Sequence, residues 1–121
     1  MINTKALQSA TLIGTVLQLA MVLAGHFVPW VALHVFMFGG MAISALAGLL
    51  YARNAAGGYG GGALGGAVAG AACALIGIAV SVVLGDTAVV ILAIGTISSA
   101  VTGAIGGLIG QALAGTRVTA A

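Results

Sequence analysis

Between residues 10 and 114 the chain is a series of four apolar stretches broken by very short interruptions. The stretches cover 10–28, 31–52, 62–84 and 88–114. The breaks are Pro29-Trp30, Arg53-Asn54 with the glycines after it, and Gly85-Asp86, and Gly115-Thr116-Arg117 follows the last stretch. At a rise of about 1.5 Å per residue, each stretch crosses a hydrocarbon core about 30 Å thick. A helix is the only open-chain structure that satisfies its own backbone polar groups in lipid. None of the stretches alternates polar and apolar residues as barrel strands do. The expected fold is all-α: an integral membrane bundle of four transmembrane helices, forming a single domain over 1–121 and arranged as two hairpins.

Charge supports that reading. Only 3% of the 121 residues are charged, whereas a soluble domain carries about a quarter. Four charged side chains cannot cover a water-facing surface, so lipid is the expected solvent and the first partner. Lys5, Arg53 and Arg117 fall on one side of a four-span topology and Asp86 on the other. The positive-inside rule then places both termini and the middle connection in the cytoplasm of a multi-pass cell-membrane protein. Phe27, Trp30 and Phe36 gather at the outer border, and Tyr51 and Tyr59 at the inner one, as an aromatic belt would. The first span exceeds a signal peptide's apolar core of about 7–15 residues and lacks a clear A-x-A site, so it is expected to stay uncleaved. For so short a chain, the expected location is a bacterial inner membrane.

The 21 glycines are the second strong feature. Gly62, Gly66 and Gly70 continue a four-residue spacing from Gly58, and Gly95, Ser99, Gly103 and Gly107 repeat it in the fourth span. The second span contributes Gly40, Ser44 and Gly48. At that spacing small residues line one helix face. Inside a bilayer, where apolar surfaces gain nothing by leaving lipid, such faces let backbones approach and gain dispersion energy. These glycine-zipper ridges look longer than one chain needs, so a homo-oligomer or another membrane protein is an expected partner. The pattern Gly-x-x-x-Ser-Ala-x-x-Gly occurs at 40–48 and again at 95–103, consistent with a parallel internal repeat.

Little else suggests chemistry. Gly60, Gly62 and Gly65 fit G-x-G-x-x-G, and Asp86 follows about twenty residues later, as in a dinucleotide fingerprint. That fingerprint needs a strand before it and a soluble βαβ unit around it. Here a membrane span would separate the acid from the glycines, so no nucleotide is expected. Three scattered cations make no nucleic-acid patch. With one acid there are no paired carboxylates, and no span carries an ionisable residue near its middle, where ion relays place one. No enzyme activity and no cofactor are expected. His26 and His34 flank the first turn and could approach each other as metal or haem ligands, but no carboxylate or thiolate is expected beside them, and interfacial histidines are the plainer reading. Asp86 is expected to cap the fourth helix. Cys73 lies in an apolar run as a small packing residue, and Met21, Met37 and Met41 read as packing too. Gln18, near the middle of the first span, must find partners in the bundle, and with Ser44, Ser81 and Ser99 it forms a candidate polar path.

The expected function is therefore a small non-enzymatic membrane scaffold or accessory subunit that assembles through Gly/Ser faces. The alternative is a small-solute channel or transporter. A haem- or metal-binding protein using His26 and His34 stands third.

Overall fold

The computed structural model describes residues 2–120, with side chains throughout except at 32, 33 and 116–120. The chain forms α1 (Thr4–Phe27), α2 (Pro29–His34), α3 (Phe36–Ala55), α4 (Gly58–Val83) and α5 (Val90–Ala120). No strand occurs among the described residues. Four helices are long and apolar enough to cross a membrane: α1, α3, α4 and the Val90–Gly115 part of α5.

The helix boundaries differ from the sequence expectation where local caps override hydropathy. α1 starts at Thr4, well before residue 10, because Asn3 Oδ1 accepts the Ala6 N–H at 3.0 Å. This satisfies one of the donors that a helix start leaves free. The second span begins at Phe36, since Pro29–His34 forms a separate short helix with proline in its first turn. Arg53 and Asn54 belong to α3 itself, and Arg53 in the last turn complements the helix dipole. Only Ala56 and Gly57 link α3 to α4, and Ala56 takes the left-handed conformation at φ 49°. The glycines from Gly58 onward are helical, so the break read from Arg53 through the glycines shrinks to Ala56 and Gly57. At the far end of α4, Gly85 has φ +83°. Its N–H donates to Val82 O, and the Asp86 N–H donates to Ser81 O, both at 3.0 Å. This pair of bonds closes the helix, and the left-handed turn is one glycine adopts without a steric cost.

α3 and α4 form the central pair. Each packs against α1 on one side and α5 on the other, and among the described residues no Cα of α1 comes within 8 Å of one in α5. The size pattern is the reverse of a soluble core. The buried residues of α1 are Ala6, Ala10, Gly14, Gln18, Val22 and Gly25, nearly all four apart. α5 buries Ser99, Gly103, Gly106, Gly107, Gly110 and Ala114 and turns Ile97, Val101, Ile105 and Leu108 outward. In this arrangement large side chains face outward and small ones meet backbone.

The small faces bring main chains together. A Cβ on Gly70 would lie 2.6 Å from Ser99 O, and one on Gly62 would lie 3.0 Å from Gly107 O. A Cβ on Gly66 would overlap Gly103, and one on Gly103 would overlap Gly66. On its other side α5 meets α3, with Gly48 against Gly103, Gly106 against Ala45 and Gly110 against Leu49. The central part of the ridges read as too long for one chain, Gly48, Gly62, Gly66, Gly70, Gly103 and Gly107, is thus occupied within it. Tyr51 departs from the expected belt. It is 1% exposed, its ring lies where a Gly65 side chain would be, and its hydroxyl accepts the Asn3 N–H at 3.0 Å.

Gly103→Leu should cost about 3 kcal/mol, the upper end for overpacking, because the obstructing atoms are backbone and cannot rotate away. Gly60 and Gly61 have nothing within 4 Å of a Cβ, so alanine there should stabilise the helix by about 0.5–1 kcal/mol each. Unfolding of micelle-bound protein by SDS titration, followed by circular dichroism, measures both. Similar effects at the two places would contradict the packing described.

Candidate functional site

Backbone contact between α5 and its neighbours extends from the Lys5 end only as far as Gly70 and Ser99. Beyond that level, toward His26, Gly95 is approached by the Ile78 side chain, and Gly40 by the tips of Gln18 and Met21. Neither glycine has a side chain to fill the space, and α1 does not reach α5. A partly open cavity of about 600 Å³ results, lined by α1, α3, α4, α5 and the turn before α5. Much of its wall is apolar: Met21, Met37 and Met41, Phe36, and the isoleucines of α4 and α5. The polar groups are Gln18, Ser81, Ser98, Ser99, Thr87 and Asp86.

Gln18 anchors the floor of the cavity. It is 3% exposed, and its Nε2 donates to Gly40 O at 3.1 Å and to Ser44 Oγ at 3.3 Å. A carbonyl only accepts, so the contact with Gly40 fixes which way the amide points. Ser44 Oγ in turn donates to Gly70 O at 3.3 Å, and the Cys73 thiol donates to the same oxygen at 3.3 Å. One amide thus joins α1 to α3, and α3 to α4, through groups that lipid would leave unsatisfied. Gln18 Oε1 takes no protein donor among the described residues. Of the four residues of the candidate polar path, Gln18, Ser81 and Ser99 line the cavity. Ser44 lies behind Gln18, bonded to it. Ser81 Oγ and Thr87 Oγ1 are 2.6 Å apart.

The histidines are placed differently from the sequence expectation. His26 Nδ1 meets Asp86 Oδ2 at 2.7 Å, so a carboxylate does stand beside it. Asp86 does not cap the fourth helix, which starts four residues later at Val90, and the carboxylate turns to α1 instead. His34 stacks on Trp30, with ring centroids 4.9 Å apart, and its Nδ1 lies 3.0 Å from Trp30 O. The two rings therefore have separate partners. No group of three His, Cys, Asp or Glu side chains able to share a metal occurs among the described residues. The Asp86–His26 contact resembles the orienting half of a hydrolytic triad. Among the described residues no hydroxyl or thiol hydrogen-bonds to His26.

The His26–Asp86 pair escaped sequence reasoning because the two residues lie 60 positions apart. Their placement at the same end of two spans was the available signal. The cavity had none, since it arises where helices diverge. Lys5 and Arg53 share the other end, as the Asn3–Tyr51 bond shows, and the Arg117 side chain lies outside the described residues. Comparison with protein-family models, with characterised proteins and with solved structures finds no match to this chain.

Gln18→Leu should destabilise the bundle by about 0.6–1.7 kcal/mol, the range of membrane interhelical hydrogen bonds. Cys73 is wholly buried, so its maleimide labelling should follow unfolding and move to lower SDS in Gln18→Leu. Fast labelling of the folded wild type would refute the burial of this network.

Proposed function

We propose that this chain is a small non-enzymatic membrane protein of carrier type that takes a small solute into the cavity at its His26–Asp86 end. The cavity carries the reading: its volume of about 600 Å³ lies within the roughly 300–1,000 Å³ typical of small-molecule sites, and a few polar groups stand on an apolar wall. The Lys5 end is closed by the contacts between α3, α4 and α5, which favours a binding pocket over an open pore. A scaffold working through Gly/Ser faces has less support, because those faces are occupied inside the chain. What remains outside is mainly Leu, Ile, Val and Phe, as on any lipid-facing surface.

In the membrane we orient the chain with both termini and the Ala56–Gly57 connection toward the cytoplasm. Lys5 and Arg53 at one end and Asp86 at the other support this through the positive-inside rule. A fluorescent protein fused to the C-terminus should then fold and fluoresce, and a periplasmic phosphatase fused there should stay inactive. The opposite result would reverse the orientation.

A Cβ on Gly40 would be 3.7 Å from its nearest neighbours, so Gly40→Leu adds bulk to the cavity without displacing backbone. Proteoliposomes containing the wild type should swell in at least one of isosmotic glycerol, urea or tetramethylammonium chloride faster than protein-free liposomes, and Gly40→Leu should slow that swelling. Equal rates for protein and empty liposomes in all three would refute the carrier.

A further inference from the structure

The cavity wall holds one ionisable group, Asp86, and no Lys, Arg or His. His26 touches the carboxylate from outside the lining and engages Oδ2 alone, leaving Oδ1 without a protein donor among the described residues. Deeper in, Gln18 is 3% exposed and commits its Nε2 to Gly40 and Ser44, so its Oε1 remains as a second acceptor. The fixed polar atoms offered to a ligand are therefore an anion and an amide oxygen, with hydroxyls that donate or accept.

The rest of the wall sharpens this. Phe36 presents an aromatic ring, whose face attracts cations. Met21, Met37 and Met41 add polarisable thioethers. An anionic solute would meet the carboxylate with no cation in the lining to compensate it. A neutral apolar solute would gain burial but make no use of the carboxylate, which is partly exposed and already touches His26. An organic cation gains burial, the carboxylate and the ring together.

We propose that the cavity is a binding site for small lipophilic ammonium compounds, with Asp86 as the counter-ion and Phe36 and the three methionines receiving the apolar substituents. This rests on the cavity reading given under Proposed function and adds the charge class of its solute.

The test is calorimetric titration of the protein in nanodiscs, with empty nanodiscs subtracted. The probes are benzyltrimethylammonium and its uncharged isostere neopentylbenzene. Wild type should bind the cation at least about tenfold more tightly than the isostere. Asp86→Asn should bring the two within about twofold, with binding of the isostere retained. His26→Gln keeps the carboxylate and removes its protein partner, and it should keep the preference for the cation. Equal binding of the two probes by wild type, or an undiminished preference in Asp86→Asn, would overturn the proposal while leaving the cavity reading intact. Loss of preference in His26→Gln as well as in Asp86→Asn would assign the effect to the geometry of the His26–Asp86 contact and overturn it too. If wild type binds neither probe, this proposal fails, and the swelling assay alone decides the cavity reading.

Discussion

Everything in this molecule depends on main chains touching main chains. In lipid, a leucine gains little by exchanging an acyl tail for another side chain, so the hydrophobic effect that builds soluble cores is absent between helices. What remains is close contact, and each pair of atoms contributes only about 0.1–0.2 kcal/mol at the right distance. Gly48, Gly66, Gly70, Gly103 and Gly107 supply that distance by having no side chain. The same demand sets the outer surface, because every large residue kept out of the interface has to face lipid. Ile97, Val101, Ile105 and Leu108 are exposed for that reason. An interior of Gly, Ala and Ser and a rim of Leu, Ile and Val are two consequences of one constraint.

The constraint also explains where the cavity lies. Backbone contact needs small residues on both partners at the same level, and this condition ends at Gly70 and Ser99. Farther along α4 and α5, the Ile78 side chain intervenes against Gly95. On the opposite flank α1 packs through Gly14, where a Cβ would lie 3.0 Å from Cys73 Sγ, and against Gly77, where one would lie 2.9 Å from Gln18 Cβ. With α1 drawn to α4 and held off α5, the space between them has no side chain long enough to fill it. Its floor is polar because Gln18, buried where an amide needs partners, finds a carbonyl and a hydroxyl on α3.

Sequence reasoning reached the parts governed by period and length. Four spans follow from apolar stretches long enough to cross a bilayer, and the inward turn of Gln18 follows from the cost of an unpaired amide in hydrocarbon. It missed what depends on a neighbour in space. Tyr51 reads as an interfacial aromatic from its position near a span end, yet Gly65 on the next helix leaves room for its ring and Asn3 supplies its donor. Gly58 to Gly61 read as a loop because glycine lowers helix propensity, but Gly58 N–H donates to Gln111 Oε1 at 3.1 Å and the helix starts there. Asp86 reads as a cap from its place before a helix, whereas the turn at Gly85 carries it toward α1. In each case a residue 14 or more positions away outweighed the local preference.

The two flanking helices are held in different ways, and this decides which of them can move. α5 is fixed to α3 and α4 by interpenetrating backbone over several turns, where any tilt breaks many contacts at once. Packed interfaces of that kind switch between discrete arrangements and do not yield gradually. Beside the cavity, α1 is joined to the rest by the Gln18 amide, by packing on Gly77, and by the single His26–Asp86 contact at 2.7 Å. That contact is partly exposed to solvent on both sides, and pairs of this kind contribute at most about 1 kcal/mol. The cavity therefore has one rigid wall, on α5, and one wall, on α1, tied by fewer contacts. A cation held at Asp86 Oδ1 would leave Oδ2 to His26, so one carboxylate would tie both the solute and the end of α1 to the turn before α5.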